Sequence, residues 1–211
     1  MITIALDAMG GDHAPRAEVE GAILAARELG VRILLVGIEA DVKQELGRHR
    51  HRSLPIEVVN ATEVVGMSDS PSHAFRRKKD SSLHVAARLV RDSQADALVS
   101  AGNTGAVMTV ARFVIGTLPS VDRPALAAAF PNMKEKVSVI LDVGANVDSK
   151  PAQIEQFAVM GEIYYRTLWG TKKPVGGVAV GVYKDCKDAT RALVKDYTTY
   201  VPDYRNKDVY K

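Results

Sequence analysis

The residues best suited to chemistry fall in three short stretches: Asp-Ala-Met-Gly-Gly-Asp-His-Ala-Pro (Asp7 to Pro15), Ser-Ala-Gly-Asn-Thr-Gly-Ala (Ser100 to Ala106) and Asp-Val-Gly-Ala-Asn (Asp142 to Asn146). Each directly follows a short apolar run and so reads as a loop at the end of a strand. In an open α/β sheet, ligands bind outside the carboxyl ends of the strands, where backbone amides and helix N-termini converge. Three such loops on one edge point to a site for an anion.

In the first loop, Gly10 and Gly11 let the backbone approach a ligand closely, and Asp7 stands where a strand-end carboxylate points into the crevice. His13 with Asp12 offers a base and its orienting partner, since an imidazole titrates near neutral pH. Asp12 reads equally as a helix cap and His13 as a turn residue before Pro15. In the second loop, Ser100, Gly102, Asn103, Thr104 and Gly105 precede an amphipathic helix, so free N–H groups and the Thr104 hydroxyl would cradle a phosphate. A capped helix without a ligand is the alternative there. The third loop supplies the Asp142 carboxylate, a close-approach glycine at Gly144 and the Asn146 amide. Between the first two lies the polar connection Met67 to Ser82, which ends in four cations, Arg76, Arg77, Lys78 and Lys79. Solvated charge is the usual fate of such a run. Because this one enters a helix at Ser81 and Ser82 on the side where the loops converge, it would also steer an acidic protein or a phosphate-bearing substrate.

The elements that must hold these loops alternate in type. The apolar runs predict strands over residues 2–6, 32–36, 56–59, 97–100, 125–130 and 137–141. Helical periodicity predicts helices over 18–29, 40–47, 82–92, 104–115 and 152–168. In the first of these helices Val19, Ala22, Ile23, Ala26 and Leu29 share a face, and Gly30 closes it. In the last, Pro151 starts the helix, Gly170 ends it, and Ile154, Phe157, Ala158, Gly161, Tyr164 and Leu168 form one stripe. Strand–helix alternation at this spacing implies right-handed crossovers and a mostly parallel sheet with helices on both faces. A further strand within 174–183 and a helix over 189–197 are compatible with the remaining sequence. The turn from Gly47 to Ser53 is basic and reads as a solvated loop.

Composition bounds the possibilities. The 211 residues are 46% hydrophobic and 25% charged, enough for one domain or slightly more. A net charge of +3 from 28 basic and 25 acidic residues does not argue for a nucleic-acid partner. The single cysteine, Cys186, excludes an intramolecular disulfide and a multi-cysteine metal site, and reads as a neutral thiol. No apolar segment reaches the ~18 residues of a membrane span, and Met1 runs into a strand without a basic leader, which predicts a cytoplasmic protein.

Taken in order, Asp-Ala-Met-Gly-Gly-Asp, Met-Ser-Asp-Ser-Pro with the following Arg-Arg-Lys-Lys-Asp-Ser-Ser, Val-Ser-Ala-Gly-Asn-Thr-Gly-Ala and Asp-Val-Gly-Ala-Asn resemble the bacterial phosphate acyltransferase family. The resemblance runs from Ile2 to about Trp169. It implies a three-layer α/β/α fold like that of isopropylmalate dehydrogenase and phosphotransacetylase. It also implies a homodimer, possible peripheral contact with a membrane, and transfer of a fatty acyl group from acyl carrier protein to inorganic phosphate for phospholipid synthesis. No cofactor and no metal are implied. On this resemblance Gly102, Asn103, Thr104 and Gly105 hold phosphate, Gly10 and Gly11 stabilise the oxyanion, Asp7, Asp142 and Asn146 orient the participants, and His13 manages the proton. The family's later segments, Gly-Glu-Glu, Lys-Gly-Asn-Glu and Asp-Gly-Phe-x-Gly-Asn, do not occur here. The chain therefore reads as a family-like domain over 1–169 followed by a divergent tail over 170–211, a truncated form. Two rivals are a non-catalytic remnant that binds phosphate or carrier protein, and a dinucleotide-dependent dehydrogenase. The second is disfavoured because the first loop lacks Gly-x-Gly-x-x-Gly.

Overall fold

Residues 1–119, 121–132, 136–143 and 149–170 are described by a computed structural model. The expectations for Gly144, Asn146, residues 174–183 and 189–197, and Cys186 lie outside the described residues. The chain divides into two compact units, Met1–Thr117 and Leu118–Lys211.

The first unit is built on strand β1 (Thr3–Asp7), helix α1 (Arg16–Glu28), strand β2 (Arg32–Gly37), helix α2 (Glu39–Leu46) and strand β3 (Ile56–Asn60). Helices α3 (Pro71–Arg77) and α4 (Ser82–Arg91), strand β4 (Ala97–Val99) and helix α5 (Thr104–Val110) follow. Helix α5 runs on into a π-helical turn, Ala111–Ile115. The four strands are parallel in the order β3-β2-β1-β4, so the chain steps outward from β1 in one direction and then returns to its other side. That reversal puts a crevice between the ends of β1 and β4.

Burial on both faces explains the unbroken apolar run of β2. Ile33 and Leu35 pack against Val19, Ala22, Ile23 and Ala26 of α1 and Val42 and Leu46 of α2. Leu34 and Val36 face the opposite layer, with Val85 and Ala86 of α4. Leu29, expected on the buried face of α1, is instead exposed, because the helix ends at Glu28 and Gly30 turns the chain with φ +64°. A third cluster joins Ala74 of α3, Leu83 and Ala87 of α4, and Ala106 and Val110 of α5. Each large side chain buried in these layers contributes roughly 1.5–3 kcal/mol.

Helix α3 was not expected: the sequence between Met67 and Ser82 reads as polar connection. Ser70 caps it by accepting a hydrogen bond from the His73 amide at 3.2 Å, and Pro71 occupies the first turn, where its missing N–H costs nothing.

In the second unit, strands β5 (Ala127–Pro131) and β6 (Val137–Leu141) pair with each other, antiparallel. Helix α6 (Pro151–Trp169) packs on β6 and ends at Gly170 in the left-handed conformation. Its contact stripe differs from the expected one. Gln153 and Phe157 are buried, Gly161 lies where a β-carbon would stand 3.0 Å from Leu141, and the Tyr165 hydroxyl donates to the Val137 carbonyl at 3.1 Å. Tyr164 and Leu168 are exposed. The i, i+4 row through Tyr165 wins because its hydroxyl satisfies a strand carbonyl that an apolar side chain would leave bare.

One buried histidine sets a pH dependence. His84, on α4, is 2% exposed; its Nδ1 lies 3.1 Å from the Ser81 hydroxyl, and its ring stacks on Phe75 at 5.7 Å. Ser81 already donates to the Lys78 carbonyl at 2.8 Å, so the imidazole donates to Ser81 in turn. The pair is a buried helix cap, not a nucleophile and its base. Burial, then the Lys79 and Arg88 charges, hold the imidazole below its ordinary 6.5, against a smaller upward pull from the Phe75 backbone. Below about pH 6.5 the unfolded chain therefore takes up a proton that the folded one refuses, and stability falls by up to about 1.4 kcal/mol per pH unit. Urea denaturation at pH 7.5 and 5.5 should show that difference, and it should shrink in His84→Gln. An equal difference in both proteins would mean that His84 ionises as readily folded as unfolded.

Candidate anion site at the sheet switch point

The crevice between β1 and β4 is closed by a latch. Asp7 ends β1 and is 3% exposed; its Oδ1 accepts from the Met9 amide at 3.2 Å and its Oδ2 from the Ser100 hydroxyl at 2.8 Å. Ser100 Oγ in turn accepts from the Gly102 amide at 3.1 Å. A strand-end carboxylate thus ties the two loops together, and both of its oxygens are occupied.

The glycines allow the contact. A β-carbon at Gly102 would stand 3.1 Å from the Gly10 Cα, and one at Gly10 would stand 2.8 Å from Ser100 Oγ while running into the Asp7 carboxylate. The two loops therefore meet as bare main chain.

A third wall comes from the connection before α3. Asn103 caps α5 by accepting from the Ala106 amide at 3.0 Å, and its Nδ2 reaches the carbonyls of Asp69 at 2.9 Å, Met67 at 3.0 Å and Gly66 at 3.5 Å. Lys78 donates to Asp69 at 2.6 Å and to the Val64 carbonyl at 2.8 Å. That bond, and then the Gly66 amide, hold the Asp69 carboxyl below the usual carboxylate range. At Gly105 a β-carbon would stand 2.7 Å from Pro71 Cγ, so α3 and α5 touch closely. The amides of Thr104 and Gly105, in the first turn of α5, have no acceptor among the described residues, and Thr104 is exposed.

The cations Arg76 to Lys79 do not act as one patch. Lys78 is half-buried in the pair just described, and the Lys79 ammonium sits 3.9 Å over the Phe75 ring. Arg76 and Arg77 are exposed on α3, with no ion pair among the described residues. His13 and Asp12 are exposed as well. The His13 carbonyl accepts from the Arg16 and Ala17 amides, closing the turn into α1, and Asp12 does not cap that helix: Pro15 stands at the cap without a side-chain bond. Asp142 belongs to the second unit, where it takes a positive φ of +64° and accepts from the Ser149 hydroxyl at 3.0 Å.

Sequence reasoning missed Glu18. It lies in the first turn of α1 and is 8% exposed; one carboxylate oxygen crowds the space a β-carbon at Gly11 would need, and the other has no hydrogen-bond partner among the described residues. Burial first, then the Asp7 charge, push its carboxyl above the usual range, against a smaller pull from its own backbone and from His13. The signal was present as an acid one position before the buried Val19, on the inner side of the helix. No group of three or more His, Cys, Asp or Glu that could hold a metal occurs among the described residues.

A parallel α/β sheet with glycine loops meeting at its switch point defines the protein as an α/β protein of the kind seen in a phosphotransacetylase from Streptococcus pyogenes, which shares the fold. Its structure matches 92% of this chain and 66% of its own, with a TM-score of 0.67 and 16% identity. The chain belongs to the fatty acid synthesis protein family, whose model matches residues 2–196. It is 55% identical over 174 residues to a phosphate acyltransferase from Koribacter versatilis, covering 82% of this chain and 48% of that one. It is 48% identical over 207 residues to a phosphate acyltransferase from Geotalea daltonii, covering 94% and 60%. The chain thus spans about half to three fifths of the length of these relatives.

Proposed function

We propose that the protein acts in fatty acyl transfer from acyl carrier protein to inorganic phosphate, giving an acyl-phosphate for phospholipid synthesis. The observation that carries this reading is the main-chain contact at the switch point, where the Asp7–Ser100–Gly102 latch ties two glycine loops together beside the first-turn amides of α5, which have no acceptor among the described residues. Amides that need an acceptor, at the start of a helix, suit a phosphate. The family description and the names of its relatives support acyl transfer to phosphate, and the carrier-protein donor is what the resemblance of the loop motifs implies.

In the proposed reaction a phosphate oxygen attacks the thioester carbonyl, a C–O bond forms, the C–S bond breaks, and the proton of hydrogen phosphate passes to the departing thiolate. No enzyme nucleophile is needed, so positioning lowers most of the barrier. Gly102, Thr104 and Gly105 would hold phosphate, and the Gly10 and Gly11 backbone would face the developing oxyanion. Asp7 and Asn103 fix these loops. His13, exposed beside them, is the proposed proton carrier. Arg76 and Arg77 offer free positive charge to an acidic carrier protein. A second copy of the chain and peripheral contact with a membrane belong to the same proposal, supported by exposed Phe113 and Ile115 on the first unit and Leu168 and Trp169 on the second. No described helix is long and apolar enough to cross a membrane.

The test is incorporation of radiolabelled phosphate into acyl-phosphate from acyl-acyl carrier protein, with the product mass measured. Phosphate-dependent product is expected. Phosphate binding without product would favour a non-catalytic binding domain.

A further inference from the structure

Glu18 presents a buried acid beside a site read as receiving an anion. Among the described residues no lysine or arginine pairs with its carboxyl, and the charged groups that act on it are Asp7 at the end of β1 and His13 in the loop. Packed against the same loop, Ala101 from the β4 end brings no charge. Strand β2 faces α1 with Ile33 and Leu35, and α2 with Val42 and Leu46, all apolar. One carboxylate oxygen is fully buried without a hydrogen-bond partner among the described residues, while the other abuts Gly11 in the loop after β1, opposite Ala101. An ionised carboxylate in that position repels both Asp7 and any anion brought to Gly10 and Gly11; a neutral carboxyl does neither, and gains a donor.

We propose that Glu18 is a positioning residue that takes up a proton when an anion binds against the Gly10–Gly11 loop, making the site a proton-coupled anion site. The inference rests on the anion reading above and adds its regulation by pH. Glu18 starts from a carboxyl already shifted upward by burial and by Asp7, so a second negative charge moves it further in the same direction. Anion affinity should then fall as pH rises through the window above the ordinary 4.5 of a glutamate.

Sulfate is the probe, because it carries its full charge throughout that window and adds no protonation of its own. Titration calorimetry of the whole chain in buffers of different ionisation enthalpy should show net proton uptake with sulfate binding in the window above the ordinary 4.5 of a glutamate. Glu18→Gln should bind sulfate with no such uptake, whereas His13→Gln should keep it. Uptake unchanged in Glu18→Gln, or lost in His13→Gln, would overturn the role of Glu18 and leave the anion site standing. No sulfate binding to the wild-type chain at any pH would overturn the site and this inference together. If Glu18→Gln does not fold, the carboxyl ¹³C resonance of Glu18 in the wild type decides: sulfate should move it toward the protonated position, and an unmoved resonance counts against the proposal.

Discussion

Asp7→Ala is expected to cost about 3–5 kcal/mol of stability and to abolish sulfate binding, the largest effect of any single substitution in the crevice. The Asp7 carboxylate receives the Ser100 hydroxyl and the Met9 amide, and hydrogen bonds to charged groups are worth about 1.5–3 kcal/mol each. Truncation leaves both donors in a site that is 3% exposed at Asp7. It also frees Ser100, and with it the bond to the Gly102 amide that shapes the second loop. Ser100→Ala, which removes the middle of the latch but spares the Met9 bond, should lose about 1–2 kcal/mol. Urea denaturation with sulfate calorimetry checks both. A loss below about 1 kcal/mol in Asp7→Ala, or wild-type sulfate affinity, would show that the loops are held by something other than this carboxylate.

Asn103→Ala should lose about 2–3 kcal/mol and weaken sulfate binding at least about tenfold, because two functions go at once. About 1 kcal/mol is the helix cap on the Ala106 amide. The remainder is the grip of Nδ2 on the carbonyls of Gly66, Met67 and Asp69. Asn103→Ser separates the two: its hydroxyl can cap α5 but cannot span to the 66–69 segment, so stability should recover by about 1 kcal/mol while binding does not. Amide hydrogen exchange over Gly66–Asp69 should speed up in both variants. Binding restored by serine would assign the whole effect to the cap.

The first unit was largely legible because a parallel sheet leaves a strong imprint. Runs such as Ile33 to Val36, buried on both sides, can hardly be anything but inner strands, and the glycines at 10, 102 and 105 mark where main chain meets main chain. What could not be read was pairing that depends on partners distant in sequence. Asp7 and Ser100 each read as facing a ligand, but their bond to each other spans 93 positions, and it gives the carboxylate a fastening role that no local pattern announces. The Arg76 to Lys79 run looked uniform because charge alone says nothing of reach; only Asp69, Val64 and Phe75 distinguish Lys78 and Lys79 from their arginine neighbours. Helix α3 hid behind polar composition, although its Ser70-Pro71 start was legible as a cap. Glu18 hid as an ordinary first-turn acid, since periodicity marks which face a residue takes but not whether a charge there finds a partner. The antiparallel pairing of β5 and β6 needed the turn at Asn132 and Lys136, where no Asn-Gly type signal stands.

The bare main-chain contact between Gly10 and Gly102 bears on how this family can diversify. A recognition surface made of side chains can be retuned one substitution at a time, each variant a small step in affinity or preference. A surface made of peptide groups has no such dial: every replacement at the contact adds atoms where none fit, and the peptide groups on offer stay the same whichever neighbours change. Variants of this crevice should therefore divide sharply into competent and broken, with few intermediates. New substrate preferences among relatives should arise at residues that surround the glycine contact, and in segments that pack on it, rather than within it.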